Sequence, residues 1–328
     1  MNLLQSKPSI GHLLLGLGMA ISGFTLPAQA GIEVIREWKA APVLLQNVEF
    51  SPNGKQILTA SGGGEAQLWT LDGKASSPIM AGQRPPMFNA HFNRSGTLII
   101  TTSYNGTVGL WNTQGHLIKT LPVHEAAVAD ARFVGNQGNF VTSSDDGQVV
   151  LRQATGAPSW SGGHPGTARQ LVVSPQANLI VASSDSGSVH LIWLDKTGKP
   201  TKMSTIKTPH GRINQLSTTA DGKTIAASGI DGTVSVWNTK GEMLYQLKAT
   251  TKGWANGGMF CKTKTGPLLT VGDDGVIKEW TRTGQILAQR KLSDKSRLTK
   301  VDCSPSGNQA AVVGSNGELW LLAITSKQ

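Results

Sequence analysis

Glycine returns at a near-constant interval along this chain: Gly64, Gly106, Gly147, Gly187, Gly232, Gly275 and Gly317 are 42, 41, 40, 45, 43 and 42 residues apart. The same apolar runs and turns surround each one. Seven segments can therefore be written under one another, starting at Asn47, Asn89, Asp130, Gln170, Gln215, Gly257 and Lys300. A unit of this size cannot bury its apolar face alone, and a period in the low forties belongs to propellers and repeat arrays.

Each unit reads as short strands. An apolar run such as Val48–Phe50 meets a turn of the Ser-Pro-Asn-Gly kind at Ser51–Gly54 or Ser304–Gly307. A second run, such as Thr97–Thr102, meets Asn105-Gly106, Asp231-Gly232 or Asp274-Gly275 in its own repeat. A third run alternates, as in Thr233–Trp237, and a turn ending in Gly73, Gly115, Gly241 or Gly284 leads to a weaker fourth run. Glycine supplies the positive φ angles that tight hairpins require. Four antiparallel strands per unit predict an all-β fold, a seven-bladed β-propeller of four-stranded blades.

At these positions the chain resembles the WD-repeat family. Trp69, Trp111, Trp237 and Trp280 stand at the family's tryptophan position. Asp146, Asp231 and Asp274 stand at its aspartate position, with Asn105 and Asn316 as substitutes, and His124, His164 and His210 match its histidine. The resemblance implies a hydrogen-bonded brace within the blade, formed in the fifth repeat by His210, Ser228, Asp231 and Trp237. It also implies an exported bacterial propeller. Departures are Arg152, Ile192 and Leu322 at the tryptophan position, and Asn or Thr after each of the four tryptophans. The likeness spans about residues 32–325 and leaves activity open, because one scaffold serves many tasks.

The repeats lie near 47–88, 89–129, 130–169, 170–213, 214–255, 256–299 and 300–325, within one domain at 31–328. The seventh ends after its third run, Glu318–Ile324, whereas Ile32–Trp38 is β-prone and has no blade. Pairing the two would close the ring and leave no open blade edge. A flexible mature terminus is the alternative.

Residues 1–30 read as a leader. Met1–His12 holds one lysine and no acid, an apolar run follows to about Leu26, and Ala28-Gln29-Ala30 is a small-residue cleavage triplet. Cleavage would leave Gly31 first and place the protein in a periplasm or outside the cell. A retained anchor is the alternative, although the run is shorter than the roughly 20 residues a spanning helix needs.

Catalytic and metal-binding motifs are missing. Cys261 and Cys303 cannot form a four-thiolate site and are expected as two buried free thiols on neighbouring inner strands, with oxidation as the alternative. No His-Glu-x-x-His pattern, calcium loop or serine elbow occurs, so no metal, cofactor or enzymatic activity is expected. His91, His116, His124, His164, His190 and His210 are scattered along the chain, and Asp145-Asp146 and Asp273-Asp274 fall in hairpin turns.

Charge is distributed unevenly. Residues 31–194 carry ten Lys/Arg and ten Asp/Glu, whereas 195–300 carry eighteen and eight, a net of +10. The excess is expected in the loops entering the later blades, at Lys202, Lys207, Arg212, Lys248, Lys252, Arg290, Lys291, Lys295, Arg297 and Lys300. Such a basic sector suits an acidic partner protein or an anionic envelope polymer. Nucleic acid fits poorly, because the chain is expected to be exported and lacks a recognition motif. Polar inner-strand starts, Asn47, Asn89, Asp130, Gln170, Gln215, Asn256 and Lys300, should ring the channel mouth. Tyr104 and Trp254 lie on the same face. With Arg212, Arg290 and Arg297 these are the candidate partner-binding residues of an interaction platform. A polysaccharide-binding propeller, or an enzyme using the central channel, remains open.

Overall fold

The computed structural model describes residues 31–82, 85–163, 166–261, 263 and 266–325. The expected leader, Met1–Ala30, and His164 lie outside these residues. The described regular structure is entirely β, in seven antiparallel sheets arranged as blades.

The inner strands are Leu45–Phe50, Ala90–Phe92, Val128–Phe133, Ala168–Val173, Ile213–Thr218, Ala255–Phe260 and Leu298–Cys303. In each blade the later strands follow outward in chain order. The first blade has three strands, and two isolated bridges, Ala66 to Met80 and Trp69 to Ala75, take the outer position. Pro78 lies in that segment and lacks the N–H that a regular ladder needs.

Burial explains the hydropathy pattern. Second strands such as Leu179–Ser184 are buried throughout, because a neighbouring blade covers each face. Outer strands such as Leu117–Pro122 are almost wholly exposed. Seven apolar clusters hold the ring, each filled from two adjacent blades; Ile100, Val108, Val128 and Phe140 join the second to the third. Gly106 shows how tight the turns are. Its φ is +80°, and an added Cβ would lie 2.1 Å from the His124 carbonyl oxygen.

The ring closes as expected. Ile32–Lys39 pairs antiparallel with Glu318–Ile324, from Ile32 opposite Ile324 to Lys39 opposite Glu318, with a bulge between Val34 and Arg36. Trp38 packs on Trp69 of the first blade at 6.1 Å between ring centres. Arg290 of the sixth donates to the Ile32 carbonyl at 3.1 Å. The closing strand thus ties the seventh blade to both neighbours.

The expectation of free thiols is corrected: Cys261 and Cys303 form a disulfide, with Cα atoms 5.2 Å apart. Cys303 ends the inner strand of the seventh blade, and Cys261 directly follows that of the sixth, one position past the residue equivalent to Cys303. Inner strands converge on the ring axis, which brings these neighbouring positions within bridging range.

The brace in the fifth blade also differs in one member. His210 Nδ1 contacts the Asp231 carboxylate at 3.0 Å, and its Nε2 reaches Ser235 Oγ at 2.7 Å. The Trp237 indole donates to the same Ser235 hydroxyl at 2.8 Å. Ser228 instead donates to the Gln215 carbonyl at 3.3 Å, since strand alternation turns its side chain the other way. In the first, second and sixth blades the indole donates to a threonine ten residues earlier, Thr59, Thr101 or Thr270. That position is Ala227 in the fifth blade, so the third-strand serine takes over. Arg152, standing for tryptophan in the third blade, keeps the equivalent bond to Thr142 at 3.3 Å.

Candidate functional site: the two mouths of the channel

Every inner strand runs from an entering loop to the turn that leads into the second strand of its blade, and the two mouths of the channel at these ends differ chemically. The mouth on the entering-loop side is a cavity of about 280 Å³. It is lined by Asn89, Gln170, Arg212, Trp254, Asn256, Arg297 and Lys300, seven of the residues expected to meet a partner. Arg169 and Asn214, which the sequence reading passed over, complete its polar wall. Each directly precedes a repeat start, Gln170 or Gln215, and aligning repeats on their apolar runs hid both.

The polar strand starts also have a structural task. Asn47 donates to the Ala90 carbonyl at 2.8 Å, Asn89 to Ala129 at 2.7 Å, and Asn256 to Leu298 at 2.9 Å. Asn214 donates to Ala255 at 3.2 Å, and the Thr299 hydroxyl donates to Leu45 at 2.8 Å. Each bond spans from one inner strand to the next blade's. Inner strands of neighbouring blades are not paired with one another in the sheets. Side-chain amides therefore satisfy carbonyls that the sheets leave open near the axis. Asn47, Asp130 and Gln215 are buried in this belt and do not line the mouth, whereas Asn89 and Lys300 line it although they too are largely buried. Gln215 reaches across to the Val301 carbonyl at 3.0 Å.

The remaining candidates separate. Tyr104 is 52% exposed in the turn before Gly106 but does not line the mouth. Arg290 lies on the outer strand Ile286–Lys291, where its guanidinium holds the closing strand; its expected place in an entering loop is corrected. Lys202 is likewise on an outer strand, with its ammonium 4.9 Å from the Trp193 ring centre. The basic excess is thus divided between the mouth and the rim.

Charges inside the channel are linked. Asp130 Oδ2 accepts the Leu171 N–H at 2.9 Å, and Oδ1 lies 3.0 Å from His91 Nε2. His91 Nδ1 is 2.6 Å from Glu49, and Arg132 Nε is 3.6 Å from Asp130. Burial alone would raise the Asp130 carboxyl, but Arg132, His91 and the Leu171 amide together hold it down at about 2. Lys300 Nζ donates to Gln170 Oε1 at 3.2 Å and to the Asn214 carbonyl. Burial pushes its ammonium down to about 7 against the pull of Asp130, with Arg132 and Arg212 adding to the depression.

At the rim of the same mouth, Arg169 is paired with Asp145 at 3.0 Å and Asp185 at 2.9 Å, and Arg212 stands 4.0 Å from Asp185. Trp254 is 41% exposed, and its backbone N–H donates to Asp273 at 3.0 Å.

Comparison with known proteins agrees with this geometry. The WD domain, G-beta repeat family matches residues 83–112, 115–152 and 201–238. The WD repeat-containing protein slr1409 of Synechocystis sp. is 38% identical over 299 residues, 90% of each chain. The uncharacterized WD repeat-containing protein slr1410 of the same organism is 34% identical over 296 residues, covering 89% of this chain and 86% of its own. Protein tipD of Dictyostelium discoideum is 27% identical over 235 residues, 69% of this chain and 37% of its own. Seven blades closed by the N-terminal strand, tryptophan and histidine braces, and relatives matched along nearly their whole length lead to one assignment: the chain belongs to the WD-repeat family.

Proposed function

We propose that this chain is an exported, non-catalytic interaction propeller that docks an acidic protein segment on its entering-loop mouth. One observation carries the reading. Arg169, Arg212, Arg297 and Lys300 converge with half-exposed Trp254 on a cavity whose described lining contains no carboxylate. Arginines beside an aromatic are the usual anchors of a protein interface. Asp145 and Asp185 engage Arg169 closely and Asp185 reaches Arg212 only at 4.0 Å, so Arg212 and Arg297 are the cations best placed for an incoming acid.

Export rests on the leader-like pattern of Met1–Ala30. The Cys261–Cys303 bond supports the same reading, since structural disulfides persist in oxidising compartments. Among the described residues no helix is long and apolar enough to cross a membrane.

The test is capture from an envelope extract by the mature protein. Arg212→Glu with Arg297→Glu should slow capture and remove its salt dependence, and Trp254→Ala should hasten release. Lys55→Glu with Lys223→Glu, exposed on the opposite face, should leave capture intact. Equal capture by both charge-reversed proteins would sink the docking assignment. Retention of an anionic polymer in place of a protein would redirect it. N-terminal sequencing that found Met1 on the recovered protein would overturn cleavage of the leader.

A further inference from the structure

The mouth on the opposite face is chemically unlike the first. It is a cavity of about 350 Å³ walled by Phe50, Phe92, Phe133, Val172, Leu216 and Met259, within the size range of small-molecule sites. Four charged side chains interrupt the apolar wall: Glu49, Arg94, Arg132 and Asp302.

Their hydrogen-bonding states differ. Asp302 is buried and accepts the Phe50 N–H at 2.7 Å, which links the seventh blade to the first. Glu49 is engaged by His91 at 2.6 Å. Both carboxylates therefore have partners. Arg94 uses one terminal nitrogen on the Pro175 carbonyl at 2.9 Å. Arg132 has a single ionic contact, its Nε lying 3.6 Å from Asp130, and that Nε makes no hydrogen bond. Its side chain is 27% exposed at the cavity wall. A guanidinium presents five donors in a planar fork that matches a carboxylate. Asp130 holds the Nε edge of that fork, and no hydrogen bond to a described residue occupies its terminal nitrogens.

We propose that this cavity is a binding site for a small apolar carboxylate, its acid group on Arg132 and its hydrocarbon body against the phenylalanines and Met259. The site is independent of the partner mouth, which is lined by different residues at the other end of the inner strands. Burial of the apolar body supplies affinity. The guanidinium supplies the choice of head group, because a charge-assisted pair formed beside apolar walls is screened less than one on open surface.

The experiment measures binding of three shape-matched probes, phenylbutyrate, phenylbutyramide and phenylbutylamine, to the mature protein by calorimetry. Phenylbutyrate should bind about tenfold tighter than the amide, the ratio expected for one charged hydrogen-bonded pair. Arg132→Met should abolish that preference while leaving the weaker binding of the amide, and Arg132→Lys should restore part of it. Preference for the amine would assign the site to Glu49 and overturn the proposal. Equal binding of acid and amide, or no binding of any probe, would do the same. The wild-type comparison decides the matter even if Arg132→Met fails to fold.

Discussion

Cys261 and Cys303 are joined across the sixth and seventh blades, with their Cα atoms 5.2 Å apart and their positions separated by 42 in sequence. The bond closes one whole repeat into a loop and clamps two inner strands beside the channel. Chain-entropy arguments place the stabilisation from a loop of this length at about 4 kcal/mol at most. The Cys261→Ala, Cys303→Ala double variant should therefore lose about 2–4 kcal/mol in denaturant melts. Thiol titration of the unfolded, non-reduced protein should find no reactive cysteine; two thiols per chain would refute the bridge.

The serine of the fifth-blade brace can be identified by a paired substitution. Ser235→Ala deprives both the Trp237 indole and His210 Nε2 of their shared partner and should cost about 2 kcal/mol. Ser228→Ala removes one bond to a carbonyl and should cost less than about 1 kcal/mol. Chemical denaturation of the two variants checks the order, and a reversed ranking would return the brace to Ser228.

Lys300 makes stability depend on pH on the alkaline side. Its pKa in the folded chain is about 7, against 10.5 for an unperturbed lysine. Between those values the unfolded chain holds a proton that the folded chain has released, so wild-type stability rises with pH across this window. Lys300→Met removes the titration. Urea melts at about pH 7 and about pH 10 should show the wild type gaining on the variant at the higher pH. Parallel curves would mean that Lys300 stays charged in the fold.

Asp130 acts in the opposite range. Its carboxyl is held at about 2, below the ordinary 3.8, so its contribution is complete above pH 3.8 and is lost as pH falls toward 2. Asp130→Asn should lose about 3 kcal/mol at neutral pH, since it leaves His91 and Arg132 without their shared acid. The gap to wild type should narrow under acid, and a constant gap would contradict the assigned titration.

Removing Ile32–Lys39 exposes the whole edge of Glu318–Ile324 and frees Trp69 from Trp38. The truncated protein should melt with about 5 kcal/mol less stability and aggregate at its open edge. A melt equal to that of the intact protein would show that the ring closes by other means.

The fold was legible because its signals are local. Turn glycines, alternating runs and the tryptophan spacing are set by residues close together in the chain, and seven repetitions reinforced each reading. The strand Ile32–Lys39 could be placed because one unit lacked a fourth strand. Contacts near the axis were not legible in the same way. Whether Cys261 meets Cys303 and whether Asn47 faces solvent or the Ala90 carbonyl depend on how far inner strands of different blades converge, and the choice of Ser235 over Ser228 depends on which way the strands of the fifth blade turn their side chains toward His210. The linear order likewise put Arg290 beside Arg212 and Arg297 as loop cations, whereas blade geometry sends it to the closing strand. By itself the sequence determined the seven-bladed architecture and its closure, because backbone pairing and turn geometry depend on residue type and spacing. Only the tertiary structure decided which polar groups are bound within the ring and which face a ligand, because that depends on distances between residues about 40 or more positions apart.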